Sequence, residues 1–570
     1  MQLNGVEVSS NVVEGDLIKF MVKNDIWCDW KEQQRIDLTL CHLELLIFEW
    51  LSAMTKRKGI QLDQPIKRYL RIFAFGATKL GVRLAESEDV DILLVFPSII
   101  HSIDIPTSFH AYLSRHRLIS NLILIEDARV PVLKFTFHST SIDLVWAITT
   151  DKTIPEDFDL MKGKVMDFFG WCCNNTPQIK FNNLNNIEQF VHSMNGPRVA
   201  EVLLKLVGEV GALENYRTAL RCIKKWAKCR MIYSNALGFF GGVTWAILMA
   251  KICLINPTAG AGRLVQHFFQ FYSAWNWKTP VCLREIQSEG TLDFLIWNPF
   301  INENHNMMPV ITPTYPPQNS TYNVTRSNKE IIIRELIRGN KITTELSDMG
   351  CCWEDLFRNL VFWDNFHIFI SVTCFADNPT ESKKWLKYIE SRIRILIGDL
   401  SQISGYICAH PYPLPFVFMD PKKPFGVYFI GLDVDFPLFY EKENDIHQTL
   451  CNFENLSTNW KSKTHLMGLE LKTLSWYELP GYVFSSRPNM HSGQINIHCP
   501  VYNIPEEARR DAQPSPLRNL NNQQLPSKNR ICPSGKNGNK PKGHNPPQYR
   551  PYKNQQKKKN QQQKVVQNAN

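Results

Sequence analysis

At 570 residues, 44% of them hydrophobic, the chain has apolar surface for about three or four domains, and a multidomain soluble protein is expected. Residues 1–20 lack a continuous apolar run behind a basic start, which argues against a secretory leader, and fifteen scattered cysteines without a CxxC pair suit reduced thiols rather than a disulfide framework or a sulfur-ligated metal. The net charge of +10 is concentrated in residues 505–570, where fourteen Lys/Arg face three Asp/Glu, a surplus of 11 that leaves the preceding residues at −1.

In chain order, residues 35–55 read as an amphipathic helix with Leu38, Cys41, Leu45, Leu46 and Trp50 inward. Strand signals follow at 72–75, 90–96, 130–137 and 141–147, giving a small mixed α/β unit. From 182 to 256 the pattern is helical. Within it, residues 216–233 carry Leu220, Ile223, Ala227 and Met231 on one face and a stripe of four cations, Arg217, Arg221, Lys224 and Lys228, on the next. A solvated face is the ordinary reason for such a stripe. The apolar window 235–250 is too short for a membrane span and reads as a buried helix. Beyond 362, a strand (366–375), a helix (380–396) and strands at 406–409 and 427–432 form a compact α+β module. After 505 the chain turns to Asn, Gln, Lys and Pro, a composition that cannot offset its ordering entropy, so a disordered basic tail is expected. Cations on such a tail would contact phosphates without reading bases.

The chemistry concentrates in FAFGATKLGVRLAESEDVDILLVF, which starts at Phe73. Asp89 and Asp91 on a strand point the same way, because strand side chains alternate with period two, and together they suit Mg²⁺. Asp143, in the alternating run Ser141-Ile142-Asp143-Leu144-Val145, is the natural third ligand, since an unpaired charge among apolar residues is costly. The Gly76-Ala77 turn, if a helix follows, would offer backbone N–H groups and a dipole end to a triphosphate. A second pair, Asp433 and Asp435, lies too soon after Gly426 for an intervening helix and reads as a loop or strand end.

Phe75-Gly76-Ala77, eleven residues, Asp89-Val90-Asp91 and then Asp143 resembles the nucleotidyltransferase superfamily of DNA polymerase beta type. NGPRVAE from Asn195, NYRTALRCIKKWAKCRMIYSNALGFFGGVTWAIL from Asn215, MPVITPTYPPQNSTYNVT from Met308, VPVLKFTF before the Asp143 strand and ESRIRILIG from Glu390 are similar to signatures of eukaryotic nuclear poly(A) polymerases. The resemblance implies an α+β multidomain enzyme. Residues 1–55 would be a helical segment packing with the middle domain, 56–155 the nucleotidyltransferase catalytic domain and 156–345 the helical, nucleotide-binding middle domain. Residues 346–504 would be an RNA-binding domain resembling an RNA recognition motif, and 505–570 the tail.

The implied reaction is template-independent addition of AMP from ATP to RNA 3′ ends, in mRNA polyadenylation, using two Mg²⁺ or Mn²⁺ ions on Asp89, Asp91 and Asp143. Carried over by position, Phe75, Gly76 and Ala77 meet the triphosphate turn, and Lys224 and Tyr233 meet the triphosphate. Asn235 reads adenine, Gly242 and Val243 wall the base, and Asn195, with Arg198, lies beside the pocket. The resemblance also implies a nuclear monomer, away from membranes, whose partners are the RNA 3′ end, ATP and the cleavage and polyadenylation complex. Two departures stand out. Ala77 replaces a serine and loses a phosphate-donating hydroxyl, although Thr78 is adjacent. The link Leu84-Ala85-Glu86-Ser87-Glu88 is one residue longer and adds two acids, expected to face the metals and weaken triphosphate binding. They motivate the alternative of a weakly active or inactive homologue serving as an RNA-binding scaffold of the 3′-end machinery. A uridylyl or other nucleotidyltransferase is disfavoured by the long middle and C-terminal matches.

Overall fold

The computed structural model describes residues 4–26, 30–85, 88–126, 130–149, 151–161, 184–286, 296–299, 307–346, 352–403, 408–418, 424–434 and 436–485. The basic tail lies outside the described residues, as do Glu86, Ser87 and Asp435.

Two helices, α1 (Asn4–Lys23) and α2 (Trp30–Arg57), open the chain, and they go to different places. α1 buries Leu17, Phe20 and Met21 in the core that holds Leu220, Ile223 and Trp226, and Glu14 accepts from the N–H groups of Ala261 (3.1 Å) and Gly262 (2.6 Å) at the start of a middle-domain helix. α2 instead buries Ile36, Leu43, Ile47 and Trp50 among Ile92, Leu94 and Leu144 of the α/β sheet. This corrects the expectation that residues 1–55 as a whole pack with the middle domain. The inward face is corrected too: Leu38 and Leu45 are 62% and 60% exposed, because Ile36, Leu43, Ile47, Trp50 and Met54 make the longer helical stripe. α2 is long and apolar enough to cross a membrane by composition; here that apolarity is spent against the sheet.

Strands β1 (Arg71–Ala74), β2 (Val90–Phe96), β3 (Ile119–Ile125), β4 (Val132–Phe137) and β5 (Thr140–Ile148) form one sheet in the order β1-β2-β5-β4-β3. Two short helices, α3 (Gly76–Leu80) and α4 (His110–Arg115), interrupt them. β2 and β5 are parallel and central, and both their faces are covered, so they read as near-continuous apolar runs. Ile92, Leu94 and Phe96 face α2, while Leu93 and Val95, with Val145 and Ala147, face Ile154, Leu160 and Met194. Asp91 and Asp143 share the parity of the second set. β3 was not signalled in the sequence, since its exposed Ser120 and Asn121 interrupt the apolar run.

The middle domain holds α5 (Leu184–Glu209), α6 (Leu213–Cys229), α7 (Gly242–Ile255), α8 (Ala261–Ser273) and α9 (Arg326–Glu345). α6 ends two residues before Met231, which was expected on its inner face and instead takes φ +58°. α7 is buried on every side from Thr244 to Ala250, as a helix that is apolar all round must be; Trp245 meets the edge of Trp226 at 5.6 Å.

The last module runs β6 (Ile368–Ala376), α10 (Pro379–Leu400), β7 (Cys408–Pro411), β8 (Phe416–Phe418), β9 (Phe425–Asp433), α11 (Glu443–Thr458) and β10 (Met467–Ser475). Its antiparallel order β10-β6-β9-β7, with two helices between strands, is the split βαβ pattern. One sheet face carries α10 and α11. The other, where an RNA recognition motif stacks bases, is filled by Trp363, Phe416, Leu479, Tyr482 and Val483. Asp433 ends β9 and pairs with Arg334 at 3.1 Å.

His410 of β7 is 4% exposed and its Nε2–H donates to the Met231 carbonyl at 3.1 Å, joining this module to the middle domain. Burial pushes the imidazole down to about 4, against that bond's opposite pull. Between about pH 6.5 and 4 the unfolded chain therefore binds a proton that the folded one refuses, and stability falls as pH falls through that window, by up to about 3 kcal/mol. Chemical unfolding at pH 7 and 4.5 is expected to show a smaller pH loss in His410→Gln than in the unsubstituted protein; equal losses would refute the assignment.

Candidate active site

The acids assemble by strand register. Asp91 of β2 is the direct partner of Asp143 on β5, and Asp143 is the partner of Lys134 on β4, so carboxylate, carboxylate and ammonium stand in one row across three strands. Asp89 lies at the mouth of β2 and is half exposed. Lys134 donates to Asp143 and approaches Asp89 at 3.7 Å. Burial, then the charge of Asp143, pushes the Asp91 carboxyl up to about 7, although Lys134 pulls it down; burial likewise raises Asp143. The cluster is short of positive charge.

That shortage is the test of whether divalent ions suit the site. Among the described residues, no three His, Cys, Asp or Glu side chains form a ready-made cluster, and the Lys134 ammonium is bonded to Asp143 and 3.7 Å from Asp89. The donors themselves are hard carboxylate oxygens of the kind Mg²⁺ or Mn²⁺ takes, and a divalent ion would offset the burial and the repulsion from Asp143 that raise the Asp91 carboxyl. The residues fit the ions in donor type and charge.

Gly76 lies directly over Asp91. Its φ is +58°, and a Cβ there would overlap the Asp91 Oδ2, so only glycine fits on both counts. The helix expected after this turn is present but short: α3 spans five residues and stops at Gly81, φ +70°, which corrects the expectation of a dipole-based anion site. Ala77 packs against the middle-domain core, and the Thr78 hydroxyl, adjacent to the missing serine, accepts from Arg83 at 3.4 Å. Phe75 lies against Gly196 of α5, where a Cβ would come within 2.9 Å of the ring. Two residues further, Arg198 donates to the Tyr315 carbonyl at 2.6 Å, and Asn195 accepts from Thr314 and donates to Gln318 at 3.5 Å.

The cation stripe of α6 faces this turn, and it divides. Arg217 Nε donates to the Leu80 carbonyl at 3.1 Å and Arg221 to that of Gly81, fastening the two domains together. Lys224, 2% exposed, donates to the Val82 carbonyl and to Glu88 Oε2, both at 2.9 Å, and Lys228 donates to Glu88 Oε1 at 3.0 Å. This corrects the expectation of a solvated face. Both oxygens of Glu88 turn to these lysines, while its charge still raises the Asp91 carboxyl.

Beyond Lys228 lies the Tyr233 ring, 5.6 Å from its ammonium. Gly242, at the start of α7, comes so close that a Cβ would stand 2.9 Å from the Tyr233 hydroxyl. Val243 is 41% exposed, an apolar surface left open at the helix start. Asn323 donates to the Asn235 carbonyl at 3.1 Å and to its Oδ1 at 3.3 Å, fixing that side chain; sequence reading passed Asn323 over, although it lies in the run quoted from Met308. From the last module, the pKa of Lys387 on α10 is raised: burial opposes the shift, but its pair with Glu390 and the charges of Asp89 and Asp143 prevail. Nearby, Lys383 donates to Asn121 of β3 at 3.0 Å. Of the residues named for the site, Phe75, Gly76, Ala77, Asp89, Asp91 and Asp143 thus lie on or beside the α/β sheet, and Asn195, Lys224, Tyr233, Asn235, Gly242 and Val243 belong to the middle domain.

Three family descriptions match in chain order: the poly(A) polymerase nucleotidyltransferase domain over residues 8–167, the poly(A) polymerase central domain over 215–359 and the poly(A) polymerase predicted RNA binding domain over 361–421. A poly(A) polymerase of Dictyostelium discoideum is 31% identical over 490 residues, which is 84% of this chain and 57% of that one. Nuclear poly(A) polymerase 2 of Arabidopsis thaliana is 32% identical over 495 residues, 84% of this chain and 58% of that one. The chain spans a little more than half the length of these relatives. A crystal structure of the Cid1 poly(U) polymerase bound to MgGTP aligns over 61% of this chain and 99% of that one, at 15% identity and a TM-score of 0.42.

Proposed function

The chain belongs to the poly(A) polymerase family, and on that premise we propose that it adds AMP from ATP to RNA 3′ ends without a template. The observation that carries the reading is the Asp91–Asp143 register facing the Lys224, Lys228 and Tyr233 side of the middle domain. In-line phosphoryl transfer asks a protein chiefly for positioning and charge neutralisation, and this junction is arranged for both.

Asp89, Asp91 and Asp143 would hold Mg²⁺ or Mn²⁺, and such ions, when bound, polarise the attacking and leaving oxygens. Gly76 keeps the Asp91 carboxyl beneath the turn. Lys224 and Lys228 present ammonium groups to the triphosphate, and Tyr233, held against Gly242, closes that side. Asn235, aimed by Asn323, offers an amide to adenine, with Val243 along the base. The RNA 3′ end would enter between the sheet and α10, where Lys387 and Lys383 offer charge to its backbone. The sheet face of the C-terminal module, already filled, leaves RNA to its helix side. The relatives' names support a nuclear setting, in which the cleavage and polyadenylation complex is the proposed partner.

Incubation with an oligoribonucleotide, ATP and Mg²⁺ or Mn²⁺ is expected to lengthen the RNA in a ladder of single additions. RNA binding without any lengthening would replace this reading with that of an inactive scaffold.

A further inference from the structure

The acidic link places a carboxylate where a nucleotide's phosphates are expected. Glu88 uses both its oxygens on the two lysines, Oε2 with Lys224 at 2.9 Å and Oε1 with Lys228 at 3.0 Å. Oε2 also accepts from the Leu84 N–H at 3.4 Å, and the Glu88 backbone is held by Arg83, whose Nη2 donates to its carbonyl at 2.6 Å. A carboxylate bridging two ammonium groups, 11% exposed, reproduces the charge and the donor demand of two phosphate oxygens.

We propose that Glu88 is a tethered substitute for the triphosphate, so that a nucleotide fills the site only by exchanging its phosphates for this side chain on Lys224 and Lys228. The inference rests on the reading of those lysines as phosphate contacts. A competitor carried on the same chain acts at a high effective concentration whatever the nucleotide level, so the exchange lowers affinity for every ligand that uses the lysines and leaves ligands without phosphate untouched. It also ties phosphate occupancy to the chain entering β2, since Glu88 is joined to Asp89. Until that exchange, Glu88 keeps Lys224, a cation deep in the domain junction, paired, a state that costs much less than an unpaired buried charge. A purely structural ion pair predicts the opposite consequence, because neutralising Glu88 would then loosen the junction and weaken binding.

The experiment is calorimetric titration of the full chain, without RNA, using α,β-methylene-ATP, inorganic pyrophosphate and adenosine as probes. Glu88→Ser is expected to tighten α,β-methylene-ATP and pyrophosphate about ten-fold and to leave adenosine unchanged, while Glu88→Asp, which keeps the charge, stays within about three-fold of the unsubstituted protein. Glu88→Gln retains the shape of the side chain without its charge and is expected to follow Glu88→Ser. Binding that is unchanged or weaker in folded Ser and Gln variants overturns the proposal, as does failure of both variants to fold, which would make Glu88 a structural pair. If neither the unsubstituted protein nor a folded variant binds α,β-methylene-ATP, the nucleotide reading of the site itself fails, a result distinct from binding without a gain.

Discussion

Replacing Asp91 by alanine is expected to remove ATP incorporation by about a thousand-fold or more, roughly 4 kcal/mol of barrier, in a protein that remains folded. Asp91 stands at one end of the row, beside Asp143 and under Gly76, where its carboxylate oxygen fills the space beneath the turn. Its folding cost is small for the same reason. The carboxyl is raised to about 7 by burial and by Asp143, so at neutral pH its ionised form works against the folded state. Removing a repelling charge and keeping the strand leaves β2 intact. Single-turnover incorporation alongside an unfolding curve checks both halves. Retention of more than about a tenth of the rate, a barrier change under roughly 1.4 kcal/mol, would contradict the assignment of the acids.

The largest stability effect is expected at Glu335, well away from the chemistry. Its Oε1 and Oε2 accept from Arg230 Nη2 and Nε, both at 2.9 Å, and Oε2 also accepts from Arg338 Nε at 2.9 Å. Arg338 continues to the carbonyls of Asp355 and Leu356, and Arg230 to that of Arg358, so one carboxylate anchors the chain that leaves α9 for the last module. Burial works against the charged form, but the bonds and charges of Arg230 and Arg338 hold the pKa below the ordinary glutamate range. Glu335→Ala leaves two guanidinium groups facing each other in a largely enclosed site and is expected to cost about 3–5 kcal/mol. Denaturant unfolding measures it; a loss below about 1 kcal/mol would mean that water or neighbouring groups replace the carboxylate.

The sequence was most informative where spacing maps directly onto geometry. Two acids one residue apart before a β-branched run, and a third in an alternating strand, become neighbours once β2 and β5 pair, because strand parity fixes the face. Lys134 was not singled out in the sequence, although the hairpin that places it is short. His138 and Ser139 form a two-residue turn with φ of +46° and +62°, as primed hairpin turns require; this pairs Phe137 with Thr140 and therefore Lys134 with Asp143. Glu88 was legible as a charge but not as a contact, since the direction of a link's side chain depends on what another domain presents to it. The helix α2 was legible as a helix and misread in its facing, because Leu38, Cys41 and Leu45 extend its apolar surface beyond the stripe that the sheet covers. The division of the cation stripe could not be read from the wheel, which gives neighbours along α6 and not the carbonyls of Leu80 and Gly81 opposite it.

The most direct test of the central claim is a competition in which an oligoribonucleotide is extended in an equimolar mixture of ATP, UTP, CTP and GTP and the products are sequenced. Adenine selection through Asn235, with its partner Asn323, predicts tails that are overwhelmingly adenylate and that become mixed when Asn235 is replaced by alanine; tails of uridylate, or mixed tails from the unsubstituted protein, would contradict it.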